Sequence, residues 1–488
     1  MAYNTTQHHS NYVSIMALVA LLSITSGCGS GTDDVVLPEP PALVLEGFDT
    51  DVATQIDKTY EQWKANPRAP ETNGNLAMLL HAHQQYSWAT VYYQRARQLA
   101  SGEFRWAYLH GLVLIQLGER EAAIAALCQA LELTPNYMPA RVKLAMLLID
   151  SGQFAEGQSL YEQLLKEWPD LPQALYGLGR LKLQQGQDSG IALLERATYG
   201  AAPYGAAHYA LAEAYRSIGN STQADMQFEL FRRRRNQEPL LGDPFLETVK
   251  DMNESKLGLI NRGQRLLGQG KIRNAIEQFE RALDKDSSAA GTHSVLISAY
   301  GMLGEYDQAE AHYRKGLAID PDPVRLHNNF GVLRLKQQKH ADAAQAFRAA
   351  IAADPDYVDA YINLGAALES SGKGSEAIKY YRKALEHDSA HRAAGFHLGN
   401  AYMRMNNPYR AAEQYQRILE PQDRSTPEYL QALAAAYLGM WKYAEAEAAL
   451  ENAIEIAEKT ARTDLLSKLK GSLERVQSKR QSLTTESP

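Results

Sequence analysis

The fold is decided by two consecutive stretches of equal length, VRLHNNFGVLRLKQQKHADAAQAFRAAIAADPDY at positions 324–357 and VDAYINLGAALESSGKGSEAIKYYRKALEHDSAH at positions 358–391. Gly331 and Gly365 hold the same place in the two stretches, and Gly399 follows at the same interval of 34 residues. Recurrence at this interval predicts a stack of helical hairpins, each burying its apolar face against the next. The interval also separates the alanines Ala309, Ala343, Ala377 and Ala411 and the aromatic residues Tyr313, Phe347, Tyr381 and Tyr415.

The frame continues in both directions from these two copies. Small residues at the eighth and twentieth positions leave room where two helices cross, and glycine between the helices supplies a left-handed turn. These columns resemble the tetratricopeptide repeat, and the resemblance implies an all-α fold, an α-solenoid of about eleven helical hairpins in two arms with capping helices. Copies are expected to begin at Pro70, Phe104, Met138, Pro172, Gly205, Lys256, Ala290, Val324, Val358, Arg392 and Pro427.

The interval is lost once, near the middle of the chain. The copy after Gly205 is expected near Pro239 but begins at Lys256. The extra residues include Asp243-Pro244, typical of an N-cap followed by proline at the first helical position, so we predict one inserted helix. Whether this joint is rigid or hinged, the sequence leaves open. The predicted boundaries are 1–27 for a signal peptide, 28–46 for a flexible tether, 47–69 for an N-terminal capping helix, 70–238 for a first array of about five repeats, 239–255 for the inserted helix, 256–461 for a second array of about six repeats, and 462–488 for a C-terminal capping helix and tail.

The N-terminus has the pattern of an export signal. The apolar run from Val13 to Ile24 suits a signal-peptide core and is too short to span a bilayer. Small residues and then Cys28 follow, which resembles the lipobox of bacterial lipoproteins and implies that Cys28 is lipidated. By the same resemblance, Gly29 favours an outer-membrane lipoprotein facing the periplasm. Thr25 departs from the lipobox pattern, so an ordinary secretory signal with a secreted or periplasmic product is the alternative.

No group of residues in the sequence has the spacing of a catalytic or metal site. His387 and His391 straddle a predicted helix end, and Cys128 lies beside apolar residues, where a small buried hydrophobe is expected. We therefore expect a non-enzymatic protein without cofactor or metal. A net charge of -7 argues against a general nucleic-acid binder. The basic run Arg232–Arg235 complements a helix dipole in one interpretation and binds an anion in the other.

Partners are expected on the concave face, which the first helix of each repeat lines by the resemblance. Amides, arginines and aromatic residues there suit peptide recognition. Phe396 stands where a carboxylate clamp for chaperone C-termini needs lysine. Asn329 and Asn363 are similar to the asparagine ladder of the O-GlcNAc transferase solenoid, which His397 interrupts. The predicted partner-binding residues are Arg325, Asn328, Asn329, Lys336, Asn363, Phe396, Asn400 and Arg404 in the second arm and Tyr176, Arg180, Tyr209 and Arg216 in the first.

The functional hypothesis is a non-catalytic scaffold or adaptor anchored in the bacterial envelope. It would bind partner proteins or extended peptides in the concave groove and so assemble or position an envelope complex. The alternative is a periplasmic receptor for a glycan or small molecule that uses Tyr108, Tyr176 and Tyr209 of the Tyr-rich first arm. The partner, the pathway and the oligomeric state do not follow from the sequence.

Overall fold

The computed structural model describes residues 36–199, 204–320, 323–420, 422–460 and 462–485, and every regular element within these ranges is a helix. The predicted signal peptide, Cys28 and the first part of the predicted tether lie outside the described residues. The chain falls into two units, Met1–Glu39 and Pro40–Pro488, and all the described helices belong to the second. The all-α solenoid expected from the sequence is confirmed.

The first arm has one leading helix and five helical hairpins, which we number repeats 1 to 5. Its helices are α1 Thr50–Ala65, α2 Pro70–Ala82, α3 Tyr86–Leu99, α4 Phe104–Leu117, α5 Arg120–Leu133, α6 Met138–Asp150, α7 Phe154–Glu167, α8 Pro172–Gln184, α9 Ser189–Thr198, α10 Gly205–Ser217 and α11 Ser221–Arg234. A single short helix, α12 Pro244–Asp251, follows.

The second arm has six hairpins, repeats 6 to 11, and a final long helix. Its helices are α13 Lys256–Gly268, α14 Ile272–Lys285, α15 Ala290–Leu303, α16 Tyr306–Ile319, α17 Val324–Lys336, α18 His340–Ala353, α19 Val358–Ser370, α20 Gly374–His387, α21 Arg392–Arg404, α22 Pro408–Arg417, α23 Thr426–Gly439, α24 Tyr443–Lys459 and α25 Thr463–Thr485.

Each repeat packs its two helices against each other, and within an arm its second helix packs on the first helix of the next repeat. The first helices of most neighbouring repeats also contact one another, so they form an inner layer. Close crossing depends on glycine. A Cβ atom on Gly365 would lie 2.4 Å from the ring of Tyr381, and one on Gly399 would lie 2.4 Å from the ring of Tyr415. The eighth position therefore has to stay small wherever an aromatic residue fills the twenty-fourth.

The turn inside each hairpin requires a left-handed residue. Gly118 and Gly304 meet this need with φ of 77° and 76°. Gln84 and Gln338 adopt φ of 60° and 59° in the equivalent turns of repeats 1 and 8. A residue with a Cβ atom is strained in this conformation, by roughly 1 kcal/mol. The turns of the two arms thus have the same backbone even where the glycine is missing.

Charged side chains hold the joint between the arms. Arg262 of α13 is buried and pairs with Asp251 at 3.3 Å and with Glu254 at 3.1 Å. Arg265 pairs with the same Asp251 and Arg281 with the same Glu254. Asp251 ends α12, so these pairs fix the inserted helix to repeat 6. The joint is therefore a packed contact with several ion pairs. The sequence had left open whether this joint is rigid or hinged.

Candidate partner-binding grooves

The first groove, which we define as the inner layer of repeats 1 to 4, is crossed by the chain's own inserted segment. Phe245 of α12 lies among three aromatic rings, with centroids 5.4 Å from Phe104, 5.6 Å from Tyr137 and 6.5 Å from Tyr108. Asp243 precedes α12 and accepts a hydrogen bond from the backbone N–H of Leu246 at 3.1 Å, so it caps the helix. The inserted segment is therefore seated by an aromatic pocket and by a capping carboxylate.

The same carboxylate also accepts from two tyrosines of the first groove. The Tyr137 hydroxyl donates to Oδ1 of Asp243 at 2.8 Å, and the Tyr108 hydroxyl donates to Oδ2. Burial and the adjacent Asp243 charge raise the pKa of both tyrosines. Both hydroxyls thus remain protonated donors throughout the physiological range. A carboxylate with three donors is well satisfied although Asp243 itself is buried.

Further contacts tie both ends of the inserted segment to the first arm. Gln173, at the second position of repeat 4, donates to the backbone oxygen of Pro239 at 2.8 Å. Asn253 donates to the backbone oxygen of Ala82 at 3.0 Å, and Val249 is buried in the core of the arm. The inserted segment thus runs along the inner layer from repeat 4 to repeat 1, as a peptide ligand of a solenoid would.

The first-arm residues predicted to bind partners have different surroundings. Tyr108, which the receptor hypothesis requires, has no exposed surface because α12 covers it. Tyr176 is half-buried beside Tyr204 at 4.9 Å, and the Arg180 guanidinium lies over its ring. Three predicted residues remain exposed: Arg180, and Tyr209 and Arg216 at the end of the arm.

The second groove, the inner layer of repeats 8 to 11, is lined by side chains that no described segment covers. Arg325 and Lys336 on α17 and Asp359 on α19 are exposed. The amides form bonds between neighbouring repeats: Asn329 donates to the backbone oxygen of Ser294 at 2.9 Å, and Asn363 donates to Oδ1 of Asn328 at 2.9 Å. Asn328 is buried, so it has little surface for a partner and mainly positions Asn363.

The C-terminal part of the second groove contains aromatic rings, an amide and an ion pair. The Phe396 ring lies 5.1 Å from that of Tyr429, and Asn400 accepts from the Tyr415 hydroxyl at 2.6 Å. Arg404 pairs with Glu369 of the preceding repeat. Phe396 and Asn400 are half-buried, whereas Arg404 remains exposed. The predicted residues of this groove thus form contacts both between neighbouring repeats and, at Asn400, within one repeat.

Sequence reasoning missed a buried polar network in repeats 6 and 7. Nδ1 of His293 lies 2.9 Å from Nδ1 of His312, whose Nε2 is 3.0 Å from Oε1 of Glu280. The Tyr300 hydroxyl donates to the same oxygen of Glu280, and the bond from His312 lowers the pKa of that carboxyl. His293 and His312 occupy the fourth and twenty-third positions of repeat 7. His208 and Gln227 occupy the same positions of repeat 5, where their side chains lie 2.7 Å apart. Polar residues at both positions are the sequence signal from which this network could have been predicted.

Two other features have local roles. Arg233 pairs with Glu229, and it also pairs with Asp388 of the second arm at 2.7 Å. Arg234 donates a hydrogen bond to His208 at 3.2 Å. Arg233 and Arg234 of the basic run are therefore engaged with neighbouring side chains. Cys128, expected to be buried, is partly buried against the core of the first arm, and burial raises the pKa of its thiol to about 11.

The described part of the chain contains no cluster of His, Cys, Asp and Glu arranged to bind a metal ion. No helix within the described ranges has the length and apolar character needed to cross a bilayer.

Family models described as "Tetratricopeptide repeat" match residues 107–137, 142–206, 260–322, 328–395, 368–436 and 428–461, which together make up more than half of the chain. The chain belongs to the tetratricopeptide repeat proteins.

Curated relatives match over limited stretches. The chain is 31% identical over 100 residues to the type IV pilus assembly protein PilF of Pseudomonas aeruginosa, a match that covers 20% of this chain and 40% of the relative. It is 24% identical over 244 residues to the protein CTR9 homolog of Arabidopsis thaliana, covering 49% of this chain and 21% of the relative. The chain thus spans less than half the length of either relative. Among solved structures, yeast Tom70 aligns with a TM-score of 0.42 at 17% identity, over 84% of this chain and 96% of Tom70.

Proposed function

We propose that the protein is a non-catalytic scaffold whose second groove holds an extended segment of a partner protein. The observation that carries this proposal is the occupation of the first groove by the chain's own residues 239–253. An inner layer of this type therefore accepts a polypeptide segment. A side-chain amide of the layer forms a hydrogen bond to the backbone of the segment, and an aromatic pocket holds the aromatic side chain of the segment. The second groove has the same helical arrangement, and Arg325, Lys336 and Asp359 within it remain exposed.

The lining of the second groove indicates the kind of segment that fits it. Arg325 and Lys336 present cations near its N-terminal end, so acidic residues of the partner belong there. Phe396 offers apolar surface further along, and Asn363 has donor and acceptor atoms for a peptide backbone. The matching ligand is an extended segment with acidic residues at one end and apolar residues at the other.

We further propose that the chain is anchored in the bacterial envelope through a lipid on Cys28. The lipobox-like leader and the Gly- and Pro-rich stretch behind it support this anchor. The similarity to a protein named for type IV pilus assembly is consistent with a role in building an envelope complex. The scaffold would then hold one component of such a complex at the membrane while the tether allows reach.

The test is capture of partners from solubilised envelopes by the full chain tagged at its C-terminus, followed by cross-linking and mass spectrometry. We expect a short list of proteins cross-linked to the second groove. The combined variant Arg325→Glu/Asn363→Ala should reduce capture at least tenfold, since a groove ligand would lose both its charge partner and a backbone bond. Arg348→Glu on the second helix of repeat 8 is the matched control, exposed but outside the inner layer. Equal capture by both variants would disprove the groove assignment.

The glycan-receptor alternative is weakened by the structure. It required a row of stacking tyrosines in the first arm, and α12 covers Tyr108 completely. Tyr209 is 45% exposed, but its ring packs on Phe231 at the end of the arm, 5.1 Å away. The remaining exposed aromatic surface is small for a sugar site.

A further inference from the structure

A hollow of about 250 Å³ opens on the outer side of the second arm, between α20 and α22, the second helices of repeats 9 and 10. Ile378, Tyr402 and Met405 supply its apolar surface, and Arg382 and Arg410 are the charged residues that line it. No carboxylate is among the described residues around this hollow. It therefore combines an apolar surface with two cations and no matching anion.

Both arginines are available to a ligand. Arg382 and Arg410 are exposed, and within the described ranges no ion pair engages either of them. The Arg410 guanidinium lies over the ring of Tyr402, 5.7 Å from its centre, so its charge is held beside the hollow. A guanidinium is a planar fork of N–H donors, and two of them at one hollow can hold a carboxylate by paired hydrogen bonds.

The arginine pair departs from the pattern of the preceding repeats. Arg382 is the twenty-fifth residue of repeat 9, and Arg410 is the nineteenth residue of repeat 10. At the two preceding boundaries, the same two positions combine an arginine with a carboxylate, Arg314 with Asp342 and Arg348 with Glu376. The boundary between repeats 9 and 10 is thus the place where a second arginine replaces the acid. The repeat itself does not account for the pair.

Folding does not account for Arg410 either. It is the third residue of α22, so its charge lies near the positive end of the helix dipole, where a cation is unfavourable. The second helices of repeats 8, 9 and 11 have an acidic residue at this place: Asp342, Glu376 and Glu445. An arginine here weakens the helix start, and its positive charge is left for another role.

Large apolar side chains stand beside the hollow on two adjoining turns. Met405 and Tyr409 of repeat 10 are 51% and 71% exposed, and Trp441 of repeat 11 is 73% exposed. The two turns touch, since a Cβ atom on Gly439 would lie 3.1 Å from Pro408. Trp441 has φ of 63°, a left-handed conformation that favours glycine, so it does not help its turn to form.

We propose that these residues, which we call the outer patch, bind an acidic segment of a partner protein; the outer patch consists of Arg382, Met405, Tyr409, Arg410 and Trp441. An aspartate or glutamate of the segment lies in the hollow between the two guanidinium groups, and an apolar side chain next to it packs on Met405 and Trp441. The outer patch lies on second helices and turns, outside the inner layer. This site is therefore separate from the second groove and goes beyond the function proposed above.

The composition of the outer patch favours a protein over a membrane. Tryptophan, tyrosine, methionine and arginine are enriched at the centres of protein interfaces, whereas lysine and glutamate are depleted there. The exposed residues around the patch are polar and of both charges, and they include Glu376, Lys442 and Glu445. These carboxylates would repel an anionic lipid surface, but they are ordinary members of an interface rim. A compact apolar centre with two arginines and a mixed rim suits one protein segment.

The test is selection of short peptides from two displayed random libraries, one with aspartate fixed at the central position and one with asparagine. The bait is the full chain carrying Cys28→Ser and Arg325→Glu/Asn363→Ala, so that the proposed second-groove contacts are absent. We expect enrichment from the aspartate library alone, with an apolar residue close to the fixed position. Arg382→Gln/Arg410→Gln in the bait should weaken binding of the selected peptides at least tenfold. Arg348→Gln, at the position of repeat 8 equivalent to Arg382, should leave binding unchanged.

Arg410→Glu separates binding from folding. It restores the combination of arginine and carboxylate found in the preceding repeats and places an acid in the first turn of α22, so the unfolding temperature should stay the same or rise. Peptide binding should nevertheless fall at least tenfold, because the new carboxylate repels that of the peptide. Trp441→Gly suits the left-handed turn and should weaken binding several-fold without loss of stability.

Three results would overturn the proposal. Enrichment that is absent from the aspartate library, or equal in the two libraries, would show that the hollow does not hold a carboxylate. Undiminished binding by both Arg410→Glu and Trp441→Gly would place the peptides elsewhere on the chain. Flotation with phosphatidylglycerol vesicles that Arg410→Glu abolishes, without enrichment of any peptide, would assign the surface to a membrane. Because the bait lacks the second-groove contacts, each of these failures is distinguishable from a failure of the second groove.

Discussion

The two grooves of this solenoid share one repeat pattern and differ in what covers them. In the first, Asp243 and Phe245 of the chain itself fill the inner layer, and Tyr108 has no exposed surface. In the second, Arg325, Lys336 and Asp359 face solvent. The difference teaches that the repeat decides the scaffold, whereas an insertion of fewer than twenty residues decides which part of it is accessible.

The filled groove also changes the mechanics of the chain. Because the inserted segment is hydrogen-bonded to repeats 1, 2 and 4 and the last residue of α12 is paired with repeat 6, the insertion connects the two arms through the first groove. Removing the insertion from the groove should therefore both expose the first groove and loosen the joint.

The largest expected difference is in the response to acid. Burial lowers the pKa of His81 to about 4, of His110 to about 3 and of His208 to about 4, and all three lie in the first arm. A folded-state pKa below the unfolded value means that stability is complete above about pH 6.5 and falls as the pH drops toward 4. At about pH 5 each histidine should cost the first arm about 2 kcal/mol of unfolding free energy.

Hydrogen exchange resolved by segment, corrected for the intrinsic exchange rate, measures this effect. Protection should fall more in repeats 1, 2 and 5 than in repeats 8 to 11 when the pH is lowered from about 7.5 to about 5. His110→Gln should reduce the loss, and His340→Asn in the second arm should not. An equal loss of protection in both arms would contradict the assignment of acid sensitivity to these buried rings.

The next largest effect concerns the carboxylate that holds the insertion. Asp243→Ala removes the cap of α12 and leaves two tyrosine hydroxyls without their acceptor, so it should lower the unfolding free energy of the first arm by about 3 kcal/mol. Asp359→Ala, in the open second groove, should change stability by less than about 0.5 kcal/mol. Urea unfolding of the two variants compares them directly, and similar losses would show that the first groove is not held by this contact.

Much of this arrangement could be predicted from the sequence, because local periodicity determines the local fold. The columns of Gly331, Gly365 and Gly399 predict the close crossings that Tyr381 and Tyr415 then fill. The sequence also predicts a helix after Asp243-Pro244, but it does not predict where that helix docks. Its docking depends on contacts between residues more than a hundred positions apart, such as Tyr108 with Asp243, and no periodic pattern encodes such pairs.

Contacts between repeats also limit what the sequence predicts about the proposed binding residues. Position within the repeat correctly predicts exposure for Arg325, Lys336 and Arg404, because one face of a helix is repeated along the stack. It does not predict that Asn328 is buried and bonded to Asn363, since this bond joins neighbouring repeats. Nor does it predict that Arg404 pairs with Glu369.

The smallest effect is a test of the shared turn geometry. Gln84→Gly in the first arm and Gln338→Gly in the second should each raise the unfolding free energy by about 0.5–1 kcal/mol, because both residues have positive φ. Gly372→Gln, at φ of 75°, should lower it by a similar amount. Thermal unfolding measures all three variants. A loss of stability in Gln84→Gly or Gln338→Gly would show that the glutamine side chain has a role which the structure does not reveal.

The central claim, that one groove is filled by its own chain and the other is open to partners, is tested most directly by a photo-cross-linking amino acid at two matched positions. Gln173 and Asp359 both occupy the second position of their repeats, one in each groove. In intact envelopes, the probe at Asp359 should form adducts with another polypeptide, whereas the probe at Gln173 should react only within the chain, near Pro239. Intermolecular adducts from Gln173, or none from Asp359, would contradict the account.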